Sequence, residues 1–306
     1  MSNPTAIDDL RRRFGVAGVT FEPGHGGLPR VSISTPAADA HIYLHGAHVT
    51  HYQPRGQRPV LFMSDSSHFA PAKPIRGGVP VIFPWFGANA KDPKAPAHGF
   101  ARTQPWDVRD VRRGGEGAVT VSLSLGPSPA SRALWPHEFE ATFEVTVGPV
   151  LEMALHVRNT AAAAFSFEEA LHTYLAVGDV RKVTVEGLAG REYIDKVDGA
   201  KRKKQAPGPM RIEGETDRVY LNTPEAVTVN EASSGAGGGR QLSVSKQNSG
   251  ATVVWNPWIA KAAAMADFGD DEWPGMICVE TANVADHAVT LAPGQSHVMR
   301  AVVQAG

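Results

Sequence analysis

Hydrophobic and polar residues alternate strictly over Val119–Leu125 (VTVSLSL), Phe139–Val147 (FEATFEVTV), Leu151–Val157 and Leu242–Ser245. Successive side chains of a strand point to opposite faces, so a period of two predicts strands with one face buried. Such runs recur about every ten residues, broken by Gly, Pro, Asn or Asp, which is the spacing of an antiparallel sandwich or barrel. One stretch reads differently: Ile7, Leu10 and Phe14 sit three and four residues apart behind Thr5, predicting a short helix with Thr5 as its cap. There is no strand–helix–strand rhythm and no GxGxxG after a strand, which argues against a doubly wound nucleotide-binding sheet. The expected fold is therefore all-β, a large antiparallel β-sandwich with few short helices. With no internal repeat or composition shift, residues 1–20 are expected to form a helical extension and residues 21–306 a single domain.

Composition narrows the class. The 306 residues carry 30 Lys+Arg against 31 Asp+Glu, a net charge of −1 with His neutral, which gives no support to nucleic-acid binding. With 42% hydrophobic and 20% charged residues, a sizeable core is available and wholesale disorder is excluded. Cys278 is the single cysteine, so neither an internal disulfide nor a cysteine-based zinc site can form. The N-terminal MSNPTAIDDLRRRFG has no apolar h-region, and no apolar run approaches the roughly 18 residues of a membrane span. A cytoplasmic protein without membrane contact, and a monomer, are expected.

Three stretches break the strand rhythm: residues 64–106, 196–211 (with KRKKQAPGPM) and 256–275. On an all-β scaffold such loops usually carry binding and chemistry. Residues 232–240 (ASSGAGGGR) read as a flexible hairpin tip. In KPIRGGVPVIFPWF, Gly77 and Gly78 let the backbone turn sharply and bring Arg76 to a ligand, or else Arg76 is ion-paired in a packed loop. His98 and Arg102 stand four apart in AHGFAR, with a merely hydrogen-bonded histidine as the plainer alternative. In FSFEEALHTYLAV, read as one strand, Glu168, Ala170, His172 and Tyr174 share a face. His172 inside that apolar run has a proton affinity tunable around neutrality, unless it is a core histidine bonded to a carbonyl. Glu280 ends an apolar run in MICVETANV that reads as a strand buried on both sides. A carboxylate there needs a partner or a purpose, and Arg76 or Lys261 would serve for a structural ion pair. The HGAHVTH cluster of His45, His48 and His51 is a weak zinc candidate, because His48 points away from the other two in a strand. Lys201–Lys204 (KRKK) reads as a solvated loop. No GxSxG occurs, and no cysteine–histidine dyad is visible around Cys278.

Taken together, IRGGVPVIFPWFG (75–87), HGFAR (98–102), WPHEFEATFEV (135–145), EALHTYLAV (169–177), GETDRVY (214–220) and ICVETANV (277–284) resemble the aldose 1-epimerase (galactose mutarotase-like) superfamily, and its hexose-6-phosphate mutarotase branch more closely. The resemblance runs from about Phe21 to about Val303. It implies a sandwich of the supersandwich type and an isomerase that opens and closes a pyranose at its anomeric carbon. It implies His172 as catalytic acid and Glu280 as catalytic base, His98 as a second histidine beside the sugar, and Asp217 as the aspartate holding sugar hydroxyls. Arg76 and Arg102 match the basic residues of the phosphate-sugar branch. Ala97 departs from the pattern, which often has a polar amide there, and so does ETANV, where many relatives carry Pro-Gly.

A carboxylate and an imidazole suffice for ring opening, so no metal or other cofactor is expected. Mutual attraction of the pair would raise the His172 proton affinity and lower that of Glu280. A hexose phosphate, glucose 6-phosphate first, is the expected small-molecule partner, because arginine forks onto phosphate oxygens. Lys261 is a third candidate for that anion, and Trp85 or Trp258 a candidate cover for the sugar face. The alternatives are a mutarotase for unphosphorylated aldoses and a non-catalytic carbohydrate-binding protein on the same sandwich.

Overall fold

The computed structural model describes residues 4–232 and 239–306, so most of the stretch read as a hairpin tip at 232–240 lies outside the described residues. Two eight-stranded sheets, antiparallel throughout, form the body. One orders Val183–Glu186, Val227–Glu231, Arg240–Gln247, Ser296–Ala305, Leu151–Asn159, Phe139–Val147, Val119–Leu125 and Asp107–Arg113. In its long strands the alternating sequence becomes alternating burial: Phe139, Ala141, Phe143, Val145 and Val147 face the core while Glu140 lies exposed between them. Each large apolar side chain so buried contributes about 1.5–3 kcal/mol.

The second sheet orders Lys201–Lys204, Glu192–Asp195, Thr216–Leu221, Ala251–Asn256, Met276–Asn283, Glu169–Leu171 and Val81–Ile82, with Tyr174–Ala176 also paired to Met276–Asn283. Its central strands Ala251–Asn256 and Met276–Asn283 are buried at every position. Ile277 and Val279 belong to the main core. The opposite face packs a second cluster of Val219, Leu221, Val253 and Ala282, against which Phe86 and Ile194 lie. A four-stranded sheet over Val19–Pro23, Pro29–Ser34, Ala38–Tyr43 and His48–Pro54 and a small pair, Phe165–Phe167 with Val289–Leu291, complete the fold. The all-β sandwich is as the alternating pattern required.

Several local readings change. The N-terminal helix spans Pro4–Phe14, so Thr5 lies inside it rather than capping it, and Ile7 is buried in the main core. The run through His172 is not one strand. The ladder stops at Leu171 and resumes at Tyr174, and in the gap the His172 amide bonds Pro80 O at 3.1 Å. Lys201–Lys204 is an edge strand rather than a loop. It pairs with Glu192–Asp195, and ion pairs from Lys201 and Lys203 to Asp198, Lys203 to Asp195, and Arg202 to Glu192 and Asp286 replace the apolar side chains a strand usually shows. Cationic edges of this kind discourage pairing with another sheet. Of the HGAHVTH histidines, His45 and His48 bond the carbonyls of Lys73 and Gly77, and His51 lies against His41 on the next strand, ring centroids 5.0 Å apart. Among the described residues no helix is long and apolar enough to cross a membrane.

Candidate active site

Strand register builds one wall of the site. Asp217 pairs with Trp255, Trp255 with Cys278, and Tyr174 with Cys278. Directly opposed residues share a face, and Glu280, two positions past Cys278, shares it too. Asp217, Trp255, Tyr174 and Glu280 therefore stand together on one face of this sheet. The strand break brings His172 onto that wall. Its ring stacks on Tyr174 at 4.8 Å and 13°, and meets Trp255 edge-on at 6.1 Å.

The loops read as candidates supply the opposite wall. Gly77 and Gly78 take φ +111° and +60° and deliver Arg76. His98 is itself left-handed (φ +66°), and Gly99 follows it (φ +71°). A side chain at position 99 would overlap the Phe83 carbonyl, and this tight seat, with the bonds His98 N to Gly87 O at 2.7 Å and Phe100 N to Phe83 O at 3.1 Å, pins the HGFAR segment to the Phe83–Gly87 backbone. Arg102 follows on a short 3-10 turn and is buried, 8% exposed.

The two walls enclose a cavity of about 280 Å³ into which His172, Glu280, Arg76, His98, Arg102 and Asp217 all face. His172 Nε2 lies 3.2 Å from Glu280 Oε1, with the two residues 6% and 1% exposed. Neither His172 Nδ1 nor Glu280 Oε2 has a hydrogen-bond partner among the described residues. The His98 ring is 5.8 Å from that of His172, and its Nδ1 accepts the Gly87 amide at 3.3 Å, which leaves the ring proton on Nε2.

Arg76 donates to Tyr174 Oη at 3.0 Å and pairs with Asp267 at 3.0 Å. The reading of an ion-paired arginine thus holds alongside its place in the cavity wall. Arg102 has no carboxylate partner among the described residues. It donates to Ala97 O at 2.9 Å, and its Nε is buried without a partner. The structural ion pairs proposed for Glu280 do not form: Arg76 is taken by Asp267 and Lys261 by Glu215.

Electrostatics correct one expectation. Burial, then the charges of His98, Arg102 and Arg76, hold the His172 proton affinity well below its ordinary range. Burial and the neighbouring Asp217 push that of Glu280 well above, against the opposing pull of Arg102 and Lys196. Attraction within the pair does not win, because each charge must first be taken out of water. Burial thus favours the uncharged form of each partner. His98 is kept neutral by burial and by Arg102. For Arg102, burial and the nearby Arg76 pull the proton affinity down to about 10, so it remains charged at neutral pH. Burial works against charge on Arg76 too, but Tyr174 and Asp267 outweigh it. Asp217 is raised by its own burial, partly offset by Lys261 and Lys196.

Sequence reasoning missed Lys196 and Trp255, which line the cavity, whereas Phe86, one of the aromatic residues following Arg76 in KPIRGGVPVIFPWF, lines it as flat apolar surface. Trp85 and Trp258 do not line it. Trp85 donates to Pro96 O, and Trp258 packs on Trp273 at 4.3 Å. Lys261 does line it, next to Asp217. Lys196 Nζ hangs over the Phe86 ring, 5.7 Å from its centroid. A larger groove of about 840 Å³ runs beside the site past Trp85, Trp135 and Phe165. Its Glu168 spends both carboxylate oxygens on the amides of Phe86 and Ala285.

The family model of aldose 1-epimerase matches residues 29–304. A protein of Escherichia coli (strain K12), provisionally named glucose-6-phosphate 1-epimerase, is 34% identical over 275 residues, 90% of each chain. A provisionally named glucose-6-phosphate 1-epimerase of Cenchrus ciliaris is 35% identical over 264 residues, 84% of this chain and 78% of that one. The crystal structure of a Salmonella typhimurium protein, provisionally described as a mutarotase, superposes with a TM-score of 0.87 at 30% identity, covering 95% of this chain and 94% of that one.

Proposed function

This chain belongs to the aldose 1-epimerase family, and on that premise we propose that it interconverts the α and β anomers of a hexose 6-phosphate, glucose 6-phosphate first. The observation that carries this reading is the 3.2 Å contact of His172 Nε2 with Glu280 Oε1 in a cavity that also holds Arg76 and Arg102.

A cyclic hemiacetal carries its ring oxygen O5 and its hydroxyl oxygen O1 on the same carbon, C1. A base and an acid that address both must stand within a few ångströms of each other, as these two do. Glu280 as carboxylate takes the O1 proton while the C1–O5 bond breaks, and His172 as imidazolium gives its proton to O5. The open chain carries a C1 aldehyde and an O5 hydroxyl. Rotation about C1–C2 turns the other face of the aldehyde to O5. His172 then takes the O5 proton as the C1–O5 bond reforms, and Glu280 returns a proton to O1. Protons and electrons balance within the pair, and each turn restores it. General acid–base catalysis of this kind contributes about 10²–10⁴-fold per group.

His98, with its proton on Nε2, donates to a sugar oxygen. Asp217 accepts from sugar hydroxyls, Trp255 and Phe86 offer apolar surface to the ring, and the arginines receive the phosphate dianion.

The test is nuclear magnetic resonance exchange spectroscopy on glucose 6-phosphate at anomeric equilibrium, with and without enzyme. Exchange between the α and β C1 signals is expected to rise with enzyme concentration, and far less for glucose. Exchange at the spontaneous rate would refute the reading.

A further inference from the structure

Strand register lays the site out along a line. Tyr174, Cys278, Trp255 and Asp217 pair in succession across four neighbouring strands. At about 4.8 Å per strand, the row runs ~14 Å from Tyr174 to Asp217. One strand further out Asp195 pairs with Arg218, so Lys196, the next residue, comes level with Asp217. At the first end of the row Tyr174 Oη holds Arg76 at 3.0 Å, and Arg102 is its neighbour. Glu280 stands on the strand of Cys278, with His172 at 3.2 Å, so the acid–base pair lies between the two ends. At the second end Lys261 is paired with Glu215. Lys196 has Asp195 and Asp198 close to it in sequence, but Asp195 pairs with Lys203 and Asp198 with Lys201 and Lys203. Lys196 has no carboxylate partner among the described residues, and its Nζ hangs over Phe86 in the cavity wall.

A pyranose 6-phosphate has the same order. C5 carries the phosphate arm, O5 and C1 follow around the ring, and C2 comes next. Laid along the row with its phosphate on Arg76 and Arg102 and its O5 and C1 at His172 and Glu280, the sugar turns C2 toward Asp217 and Lys196. The reverse placement would set the dianion against the Asp217 carboxylate. A donor in Lys196 beside an acceptor in Asp217 suits a hydroxyl, which both gives and accepts a hydrogen bond. Resting on the reading above, we propose that Lys196 is a specificity-determining residue for this reaction: its ammonium donates to the C2 hydroxyl, and this end of the cavity reads the sugar at the corner opposite the one that carries the phosphate arm. A site built to hydrogen-bond a substrate hydroxyl discriminates against the analogue that lacks it.

The experiment is a cycle of two enzymes and two substrates. Wild type and Lys196→Met are assayed by exchange spectroscopy on glucose 6-phosphate and on 2-deoxyglucose 6-phosphate, each as the rate above the spontaneous one. Loss of O2 alters the intrinsic reactivity at C1 equally for both enzymes, so the ratio of ratios isolates the contact. Lys196→Met is expected to lower kcat/KM for glucose 6-phosphate about tenfold, the worth of one hydrogen bond to a charged group, and to change it less than about twofold for the 2-deoxy sugar. Equal losses on both substrates, as a contact with the phosphate or a distortion of the cavity would give, overturn the proposal, and so does no loss on either. Folding is checked by the thermal midpoint. If the methionine variant does not fold, Lys196→Gln, which removes the charge and keeps polarity, is read by the same ratio. Failure of the underlying reading is distinct: wild-type enzyme would then not accelerate glucose 6-phosphate anomerisation at all.

Discussion

Replacing Glu280 by glutamine isolates the proton while keeping the shape. The amide matches the carboxyl in volume, so the packing of a residue 1% exposed on a strand buried at every position is left intact. Its NH₂ can donate to His172 Nε2 across the same 3.2 Å. What disappears is the group that takes the O1 proton. The expected loss in kcat is about 10²–10⁴-fold, or ~3–5 kcal/mol in the barrier, with KM changed little because the arginines are untouched. Stability should move the other way. Glu280 has its folded proton affinity raised above the unfolded value, so the native state binds more protons than the unfolded one above pH ~4.5. Wild-type protein therefore loses stability as pH rises from there through the folded titration, and the glutamine variant does not. The variant's thermal midpoint should match wild type at pH 4 and exceed it at pH 8. Exchange spectroscopy measures the rate, and calorimetry at the two pH values measures the gain. Turnover within tenfold of wild type would refute the assignment of Glu280 as base. Equal midpoint differences at both pH values would refute the burial argument.

Three further outcomes are expected. Arg76→Ala should raise KM for glucose 6-phosphate about 10- to 100-fold, the worth of a charge-assisted contact at ~1.5–3 kcal/mol, while changing KM for glucose far less; equal changes would remove Arg76 from the phosphate site. Asp217→Asn removes a negative charge that raises the Glu280 proton affinity, so both limbs of the kcat/KM profile should shift to lower pH in steady-state assays, as one macroscopic property of the coupled pair. His297, paired with the buried Glu169 at 3.0 Å, has its folded proton affinity raised above 6.5. The stability it contributes is complete below pH 6.5 and lost as pH rises through the folded titration. His297→Gln should therefore be destabilising at pH 6 and much less so at pH 9, read from urea midpoints.

The long strands were legible because one face of each meets the core, which writes a period of two into Phe139–Val147. Met276–Asn283 was legible as a doubly buried strand for the complementary reason. The six candidate side chains were found from motifs and resemblance, and the structure gathers them around one cavity. What the sequence hid depends on register and on competition. Trp255 enters the site only because it lies between Asp217 and Cys278 in adjacent strands, a pairing no local signal carries. Asp267 meets Arg76 across 191 positions of chain. The break at His172 is set by the Pro80 carbonyl, which draws the amide out of the ladder. The direction in which the proton affinities of His172 and Glu280 move is not legible in the sequence, because attraction within the pair and removal from water act in opposite directions. Only coordinates reveal that burial is complete enough for the second to prevail.

The seat of Gly99 on the Phe83 carbonyl reaches into the history open to this molecule. His98 and Arg102 hang from one pinned segment, so a change in either the turn or its floor displaces both. That half of the pocket is inherited as a block. Lys196, on an exposed turn across the opening, is under no such constraint, and divergence toward sugars of other stereochemistry would be recorded there first.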